Sequence, residues 1–289
     1  MDPEAVRRAV VAVMSSASAL GLTVDDAVVV HDSNRLALRL LPCDVLARVA
    51  HDGQRVAAFE VELARQLAET RCPVAGLDPR VAPRAYERDG FAITLWTYYD
   101  AATAPAVSPA VYADALQRLH AGMRTLHSTT PHCTDRVSEA QRLVANPDLT
   151  PSLAHADREL LSTTLRRRRE AIDEGGAPEQ LLHGEPHPGN VLNTEDGPLF
   201  IDFETCCRGP IEFDLAHVPD AVCDRYPGTD HELLGECRGL VLAMVAAWRW
   251  QPEDRFPDGS RAGRALLRAL RHGPPWPALD VVMRPPGGA

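Results

Sequence analysis

The sequence predicts an α+β protein of two lobes, a small strand-rich lobe followed by a mainly helical one. Three observations carry that expectation. The chain has 289 residues, about twice a typical single-domain length. Its first part is a run of short apolar segments divided by turn-rich stretches, which suits a small antiparallel sheet. From residue 100 the texture changes to the Ala/Pro-rich "DAATAPAVSP", and helical periodicity dominates afterwards. The lobes are therefore placed at residues 1–99 and 100–289, and with 45% hydrophobic residues the chain can bury a substantial core.

Residues 1–20 read as an opening helix with Val6, Val10, Val13 and Met14 on its apolar side, ended by Gly21. Residues 27–30 ("AVVV"), 36–41 ("LALRLL") and 45–49 ("VLARV") read as short strands separated by "HDSN" and "PCD", a meander suited to antiparallel pairing. After the turn at His51, Asp52 and Gly53, residues 58–70 place Phe59, Leu63 and Leu67 on one helical stripe. Extended segments follow near 84–87 and at 91–99 ("FAITLWTYY"). The stretch 100–109 is expected to lack regular structure, and Ser108 caps a helix whose Tyr112, Leu116, Leu119, Met123 and Leu126 form an apolar face. Further helices are placed near 153–174, 230–250 and 260–272. Residues 181–203 are the exception in this helical half: "VLNT" and "PLFIDF" around "EDG" read as two short strands and a turn. Trp248 and Trp250 point in different directions on their helix, so at least one is expected in the core. The tail "RPPGGA" is expected to fray.

Composition excludes several classes. The longest apolar stretch, "LVLAMVAAW", is far shorter than the ~20 residues of a membrane span, and "MDPEAVRRAV" lacks a signal peptide's layout. A cytoplasmic protein without a membrane partner is expected. The seven cysteines include no C-x-x-C pair, so neither a zinc ribbon nor a thioredoxin-like motif is present, and they read as reduced, packed thiols. A net charge of −10 argues against a nucleic-acid partner and is compatible with a cationic small molecule. The run "RRRR" at 166–169 reads as a solvated helix face. All 30 basic residues are arginine, which removes lysine Schiff-base chemistry and the Walker A lysine. Any phosphate must be met by arginine or by a metal. Nothing in the sequence sets an oligomeric state.

The chemistry concentrates in "LHGEPHPGNVL", residues 182–192. His183 and His187 have the spacing of a zincin pair, but Pro186, Pro188 and two glycines oppose the helix that such a pair needs. There is no G-x-S-x-G and no cysteine in the loop, which removes a nucleophile. Glu185 and Asn190 remain, followed by a hairpin that delivers Asp202 and Phe203. A carboxylate, an amide oxygen five residues on and a second carboxylate after two strands match the kinase pattern H-R-D-x-x-x-x-N and D-F-G. The first carboxylate orients an acceptor hydroxyl and takes its proton. The other two groups offer hard oxygens to Mg²⁺.

Here the chain resembles the aminoglycoside phosphotransferase and choline kinase-like family, whose motif is H-G-D-x-H-x-x-N followed by I/V-D-F/W. "HGEPHPGN", "IDFE" and "GPIEFDLAHV" carry the resemblance, supported by "SNRLALRL", "VLARV", "FEVELARQLAETRCPVA" and "ALQRLHAGM". It implies a two-lobed protein kinase-like fold and transfer of a phosphoryl group from ATP or GTP, with Mg²⁺, to a hydroxyl of a small molecule such as an aminoglycoside antibiotic. It also implies roles: Asn190 and Asp202 hold Mg²⁺, and Glu185 stands where the family has its catalytic aspartate. Arg48 stands for the strand lysine that meets the phosphates, with Glu60 as its helix partner. Ser33 and Asn34 occupy the degenerate nucleotide loop. Adenine is expected on the backbone of residues 95–99, where Trp96 and Tyr98 read more readily as packing groups than as stacking platforms. His183, His187 and Asp214 brace the loop.

Two other readings stay open. Glu185 in place of aspartate, Arg48 in place of lysine and a glycine-free loop fit a nucleotide-binding pseudokinase with a regulatory role. His183, Glu185, His187 and Asp202 could instead serve a metal-dependent hydrolase. The acidic residues Asp220, Asp224, Asp230, Glu232 and Glu236 are candidates to line a site for a cationic acceptor.

Overall fold

A computed structural model describes residues 1–33, 35–51, 54–100 and 107–284. The expected frayed tail lies almost wholly outside these residues, as does most of the Ala/Pro-rich stretch. The chain forms two compact units, Met1–Val107 with Val191–Glu204, and Ser108–Asn190 with Thr205–Ala289. A division at residue 99 keeps residues 100–289 together, whereas the hairpin segment groups with the N-terminal unit. In chain order the elements are α1 (Pro3–Ala19), β1 (Val24–Asp32), β2 (Leu36–Pro42), β3 (Val45–His51), α2 (Gln54–Glu69), β4 (Tyr86–Arg88) and β5 (Phe91–Thr97). Then come α3 (Pro109–Met123), α4 (Cys133–Ala145), α5 (His155–Gly175), β6 (Gln180–Leu182), β7 (Val191–Thr194), β8 (Gly197–Phe200) and β9 (Cys207–Gly209). The chain finishes with α6 (Ile211–Leu215), α7 (Asp220–Cys223), α8 (His231–Trp248), α9 (Gly259–His272) and α10 (Leu279–Met283). The fold is α+β, with an antiparallel sheet and many helices.

In the first unit five antiparallel strands run in the order β1-β2-β3-β5-β4. Strict alternation decides what each face carries. Leu36, Leu38 and Leu40 of β2 and Val45, Ala47 and Val49 of β3 are buried with α1, while Arg48 stands on the opposite face between Ala37 and Thr94 in register. Almost all of β5 is buried, which explains its unbroken apolar run. Helix α1 meets the sheet through Ala5, Ala9, Ala12, Val13 and Ala17, with Val6 and Val10 at the margin of the contact. The expected valine stripe is thus rotated toward the alanines, because small side chains let a helix lie close to a sheet. The hairpin β7–β8 turns at Gly197, whose φ of +110° favours glycine. It is joined to its unit by Phe200 N–H donating to Pro73 O at 2.8 Å and Ala75 N–H donating to Phe200 O at 3.0 Å.

In the second unit α8 is apolar on nearly every side, from Leu233 to Ala247, because α4, α5, α6 and α9 pack around it. Ser108 caps α3 by accepting from Val111 N–H, as the sequence suggests. Helix α4 is absent from the sequence reading. It is started by a capping box in which His132 accepts from the first turn and Asp135 returns a bond to the His132 N–H at 2.8 Å. A histidine in the capping position hides that signal. The arginine run on α5 is not uniformly solvated, since Arg168 reaches Glu236 of α8 at 2.5 Å. None of the seven cysteines is in a disulfide among the described residues, and five of them are buried. No helix among the described residues is long and apolar enough to cross a membrane.

Leu38 is fully buried between α1 and its neighbouring strands. Leu38→Ala is expected to destabilise the protein by about 2–5 kcal/mol in urea unfolding; a loss below about 1 kcal/mol contradicts this packing.

Candidate active site

The polar loop of the second unit begins where β6 ends. Its conformation is set by Asp214 on α6, a fully buried carboxylate. Asp214 Oδ2 accepts from His183 N–H at 2.9 Å, Oδ1 accepts from Gly184 N–H at 2.8 Å, and His120 Nε2 lies 3.0 Å from Oδ2. His120 Nδ1 is in turn 2.8 Å from the Tyr226 hydroxyl. Burial pushes the Asp214 pKa up, but these bonds outweigh it and hold the group below the usual carboxylate range. Gly184 has a φ of +90°, and a Cβ there would lie 2.0 Å from Thr205 O, so only glycine fits.

The rest of the loop is tied to itself. Glu185 N–H donates to His183 Nδ1 at 3.4 Å, and Gly189 N–H donates to His187 Nδ1 at 3.0 Å. The Tyr112 hydroxyl of α3 donates to Pro186 O. Both loop histidines therefore use Nδ1 on the loop's backbone. Among the described residues no group of three or more His, Cys, Asp and Glu is placed to hold a metal ion. Asn190 Nδ2 donates to Glu185 O at 3.0 Å, which leaves its amide oxygen for another partner.

The Glu185 side chain meets Arg136, on the helix α4 that the sequence does not reveal. Arg136 lies over the Trp248 ring at 5.2 Å, so neither Trp248 nor its neighbour Trp250 is wholly in the core. Burial raises the Glu185 pKa, yet the charge of Arg136 outweighs it and keeps the group below the ordinary glutamate range. The glutamate is thus ionised at neutral pH. Its extra methylene, compared with aspartate, carries the carboxylate to an arginine. His217 is itself buried, and desolvation brings its pKa from 6.5 down to about 4 despite Glu185 nearby.

In the first unit a chain of opposite charges assembles around Glu60, which is fully buried on α2. Arg48 Nη1 donates to Glu60 Oε1 at 2.8 Å, and Nη2 donates to Asp202 Oδ1 at 2.8 Å. Arg35, which the sequence reading passed over, pairs with the second oxygen of Glu60 and reaches Glu204 at 2.7 Å. Burial works against the charge of Arg48, and Glu60 and Asp202 more than restore it. Burial and the charge of Asp202 raise the pKa of Glu204. Asp202 has a φ of +68°, unusual for a residue with a side chain. One of its oxygens, Oδ1, faces Arg48.

The remaining expected residues are placed as follows. Ser33 is exposed on the strand connection, and Asn34 lies outside the described residues. Trp96 is buried and donates to Thr94 Oγ1 at 2.8 Å, a packing role. Tyr98 lies under Arg39 at 4.1 Å. Of the acidic candidates, Asp220 pairs with Arg238 at 2.5 Å, Asp230 caps α8 and Glu236 pairs with Arg168. Asp230, Glu232 and Glu236 border a cavity of about 800 Å³ that Gln180 and Glu212 also line.

A family model described as "APH: Phosphotransferase enzyme family" matches residues 23–272. No curated protein matches the chain. Among solved structures the chain is similar to amicoumacin kinase hAmiN in complex with AMP-PNP, Ca²⁺ and Ami, with 13% identity, 90% of this chain and 92% of the other covered, and a TM-score of 0.67. Choline kinase LicA from Streptococcus pneumoniae gives 14% identity, 90% and 96% coverage and a TM-score of 0.65. The GDP complex of wild-type aminoglycoside 2'-phosphotransferase-IIIa gives 13%, 91% and 97%, and 0.65. At these identities the likeness is one of fold.

Two outcomes test the geometry of the loop. Asp214→Ala leaves buried donors unanswered and is expected to cost about 3–5 kcal/mol in chemical unfolding; a variant as stable as the parent contradicts the bracing. His217 stays neutral in the folded state, whereas the unfolded chain binds a proton there below pH 6.5. Its contribution is therefore complete above pH 6.5 and declines as the pH falls toward about 4. The full decline is about 3 kcal/mol, and His217→Phe should flatten the dependence of stability on pH between 6.5 and 5.

Proposed function

The chain belongs to the APH phosphotransferase enzyme family, and from that premise we propose that it moves the γ-phosphoryl group of ATP or GTP to a hydroxyl of a small molecule. The observation that carries this reading is the ion-pair chain of Arg48 with Glu60 and Asp202. A strand cation held at once by a buried helix carboxylate and by the aspartate after the hairpin is an arrangement suited to phosphate binding. Arginine serves it differently from lysine, with one nitrogen for each carboxylate and a planar edge that fits phosphate oxygens.

Asn190 and Asp202 fit Mg²⁺ as donors, since each keeps an oxygen free of the bond that orients it. The ion, when bound, neutralises charge on the phosphates. Glu185 accepts a hydrogen bond from the acceptor hydroxyl and aligns its oxygen. In the transfer a bond forms from that oxygen to the γ-phosphorus, the bond to the nucleoside diphosphate breaks, and the hydroxyl proton passes to Glu185. Because Arg136 keeps Glu185 a weak base, positioning rather than early proton abstraction supplies most of its effect.

The clamp of Arg136 on Glu185 also favours a second reading, a nucleotide-binding protein without turnover. A thermal-shift titration with ATP and GTP, with and without Mg²⁺, combined with an ADP- or GDP-release assay, separates the two. A nucleotide shift is expected, with release that Glu185→Gln lowers by at least about 10²-fold while the shift stays. Absence of a shift with both nucleotides sinks both readings, and a shift without release under any acceptor supports the second.

A further inference from the structure

The two oxygens of Glu60 are divided between two arginines, and that division decides what Arg48 can do. Glu60 is completely buried, so both oxygens must be answered within the protein. Arg48 Nη1 donates to Oε1 at 2.8 Å, and Arg35 Nη1 donates to Oε2. Each arginine then gives its other terminal nitrogen to a separate carboxylate, Arg48 to Asp202 at 2.8 Å and Arg35 to Glu204 at 2.7 Å. All five residues belong to the first unit.

A guanidinium and a carboxylate left to themselves meet fork to fork, with two parallel hydrogen bonds. Arg48 does not meet Glu60 in this way, because Arg35 already holds the second oxygen. The Arg48 edge therefore spans Glu60 and Asp202, with one nitrogen for each. With Oε2 vacated, Glu60 and Asp202 would compete for that edge. Glu60 is sealed from water, whereas the Asp202 side chain is 30% exposed and can be solvated, so the edge would close on Glu60. The position of Arg35 is itself fixed at both ends. Its carbonyl accepts from Ser33 N–H at 3.2 Å in the turn before β2, and its guanidinium is tethered to Glu204 as well as to Glu60. The next residue, Leu36, is in register with Val49, the neighbour of Arg48 on β3.

We propose that Arg35 is a positioning residue of the phosphate site: by occupying Glu60 Oε2 it prevents a two-bond clamp between Glu60 and Arg48, and so keeps the Arg48 edge turned toward Asp202 and the nucleotide phosphates. Arg35 acts through Glu60 and touches no reacting atom. This rests on the phosphotransferase reading, which assigns Arg48 to the phosphates, and it adds a residue that the pattern of strand cation, helix glutamate and aspartate does not contain.

The test is the affinity of the full chain for MgATP and MgGTP, measured by calorimetric titration in the parent and three variants. Arg35→Met keeps the length of the side chain and leaves Oε2 to Arg48. It is expected to weaken nucleotide binding by about 10- to 100-fold, the loss of one charge-assisted hydrogen bond to phosphate. Arg35→Lys returns a cation to Oε2 and should bind within about 3-fold of the parent. In Arg35→Met/Glu60→Gln the amide has a single oxygen, so the clamp cannot form, and affinity should recover at least about 5-fold over Arg35→Met. A merely structural Arg35 would lower the unfolding midpoint of Arg35→Met while the folded protein binds nucleotide as the parent does, and that result overturns the proposal. A double variant no tighter than Arg35→Met also overturns it, since Arg35 would then act on the phosphates directly. If Arg35→Met does not fold, the double variant, which has no buried charge at position 60, and Arg35→Lys decide: a loss of about 10-fold or more in either overturns the proposal. A parent chain that binds neither nucleotide refutes the phosphotransferase reading itself, and the proposal with it.

Discussion

The loop proposed to carry the chemistry is held in place by a buried carboxylate. Asp214 is sealed from water and must be compensated, and it is compensated by two consecutive backbone N–H groups and by His120. A buried charge is costly unless fully bonded, so the network has few alternative arrangements. By fixing the N–H groups of His183 and Gly184, it sets the path of the chain through Glu185 to Asn190. The positive φ at Gly184 and the close approach of Thr205 follow from the same constraint.

Electrostatic compensation also organises the first unit. Without lysine, the chain uses arginine on β3, and a guanidinium can engage two carboxylates at once where an ammonium acts as a point charge. Arg48 thereby joins α2 to the residue after the β7–β8 hairpin, and Arg35 extends the pairing to Glu204. Glu60 is fully buried because two arginines share it. Each unit thus has a buried carboxylate, Glu60 or Asp214, whose partners are drawn from distant parts of the sequence.

Local signals in the sequence proved sufficient where a motif is contiguous. The meander follows from alternation and turn residues, Ser108 announces α3, and the loop from His183 to Asn190 is recognisable because its spacing is short and its residue types are few. Elements without such signals escaped. Helix α4 begins at a histidine cap, so nothing ordinary marks its start. The valines of α1 drew attention from the alanines that face the sheet. Arg35, Arg136, His217 and Arg249 are single polar residues with no motif around them.

By itself the sequence determined the α+β class, the family and the polar loop, because alternation, caps and short spacings are properties of neighbouring residues. Only the tertiary structure decided which charges meet. Arg136 and Glu185 lie on separate elements, as do Arg48 and Asp202, and pairing between them depends on packing that brings remote segments within about 3 Å. The same packing took Asp220 and Glu236 into ion pairs and Asp230 into the cap of α8. Net charge is a sum over the whole chain, whereas recognition depends on the few groups that a site leaves without partners.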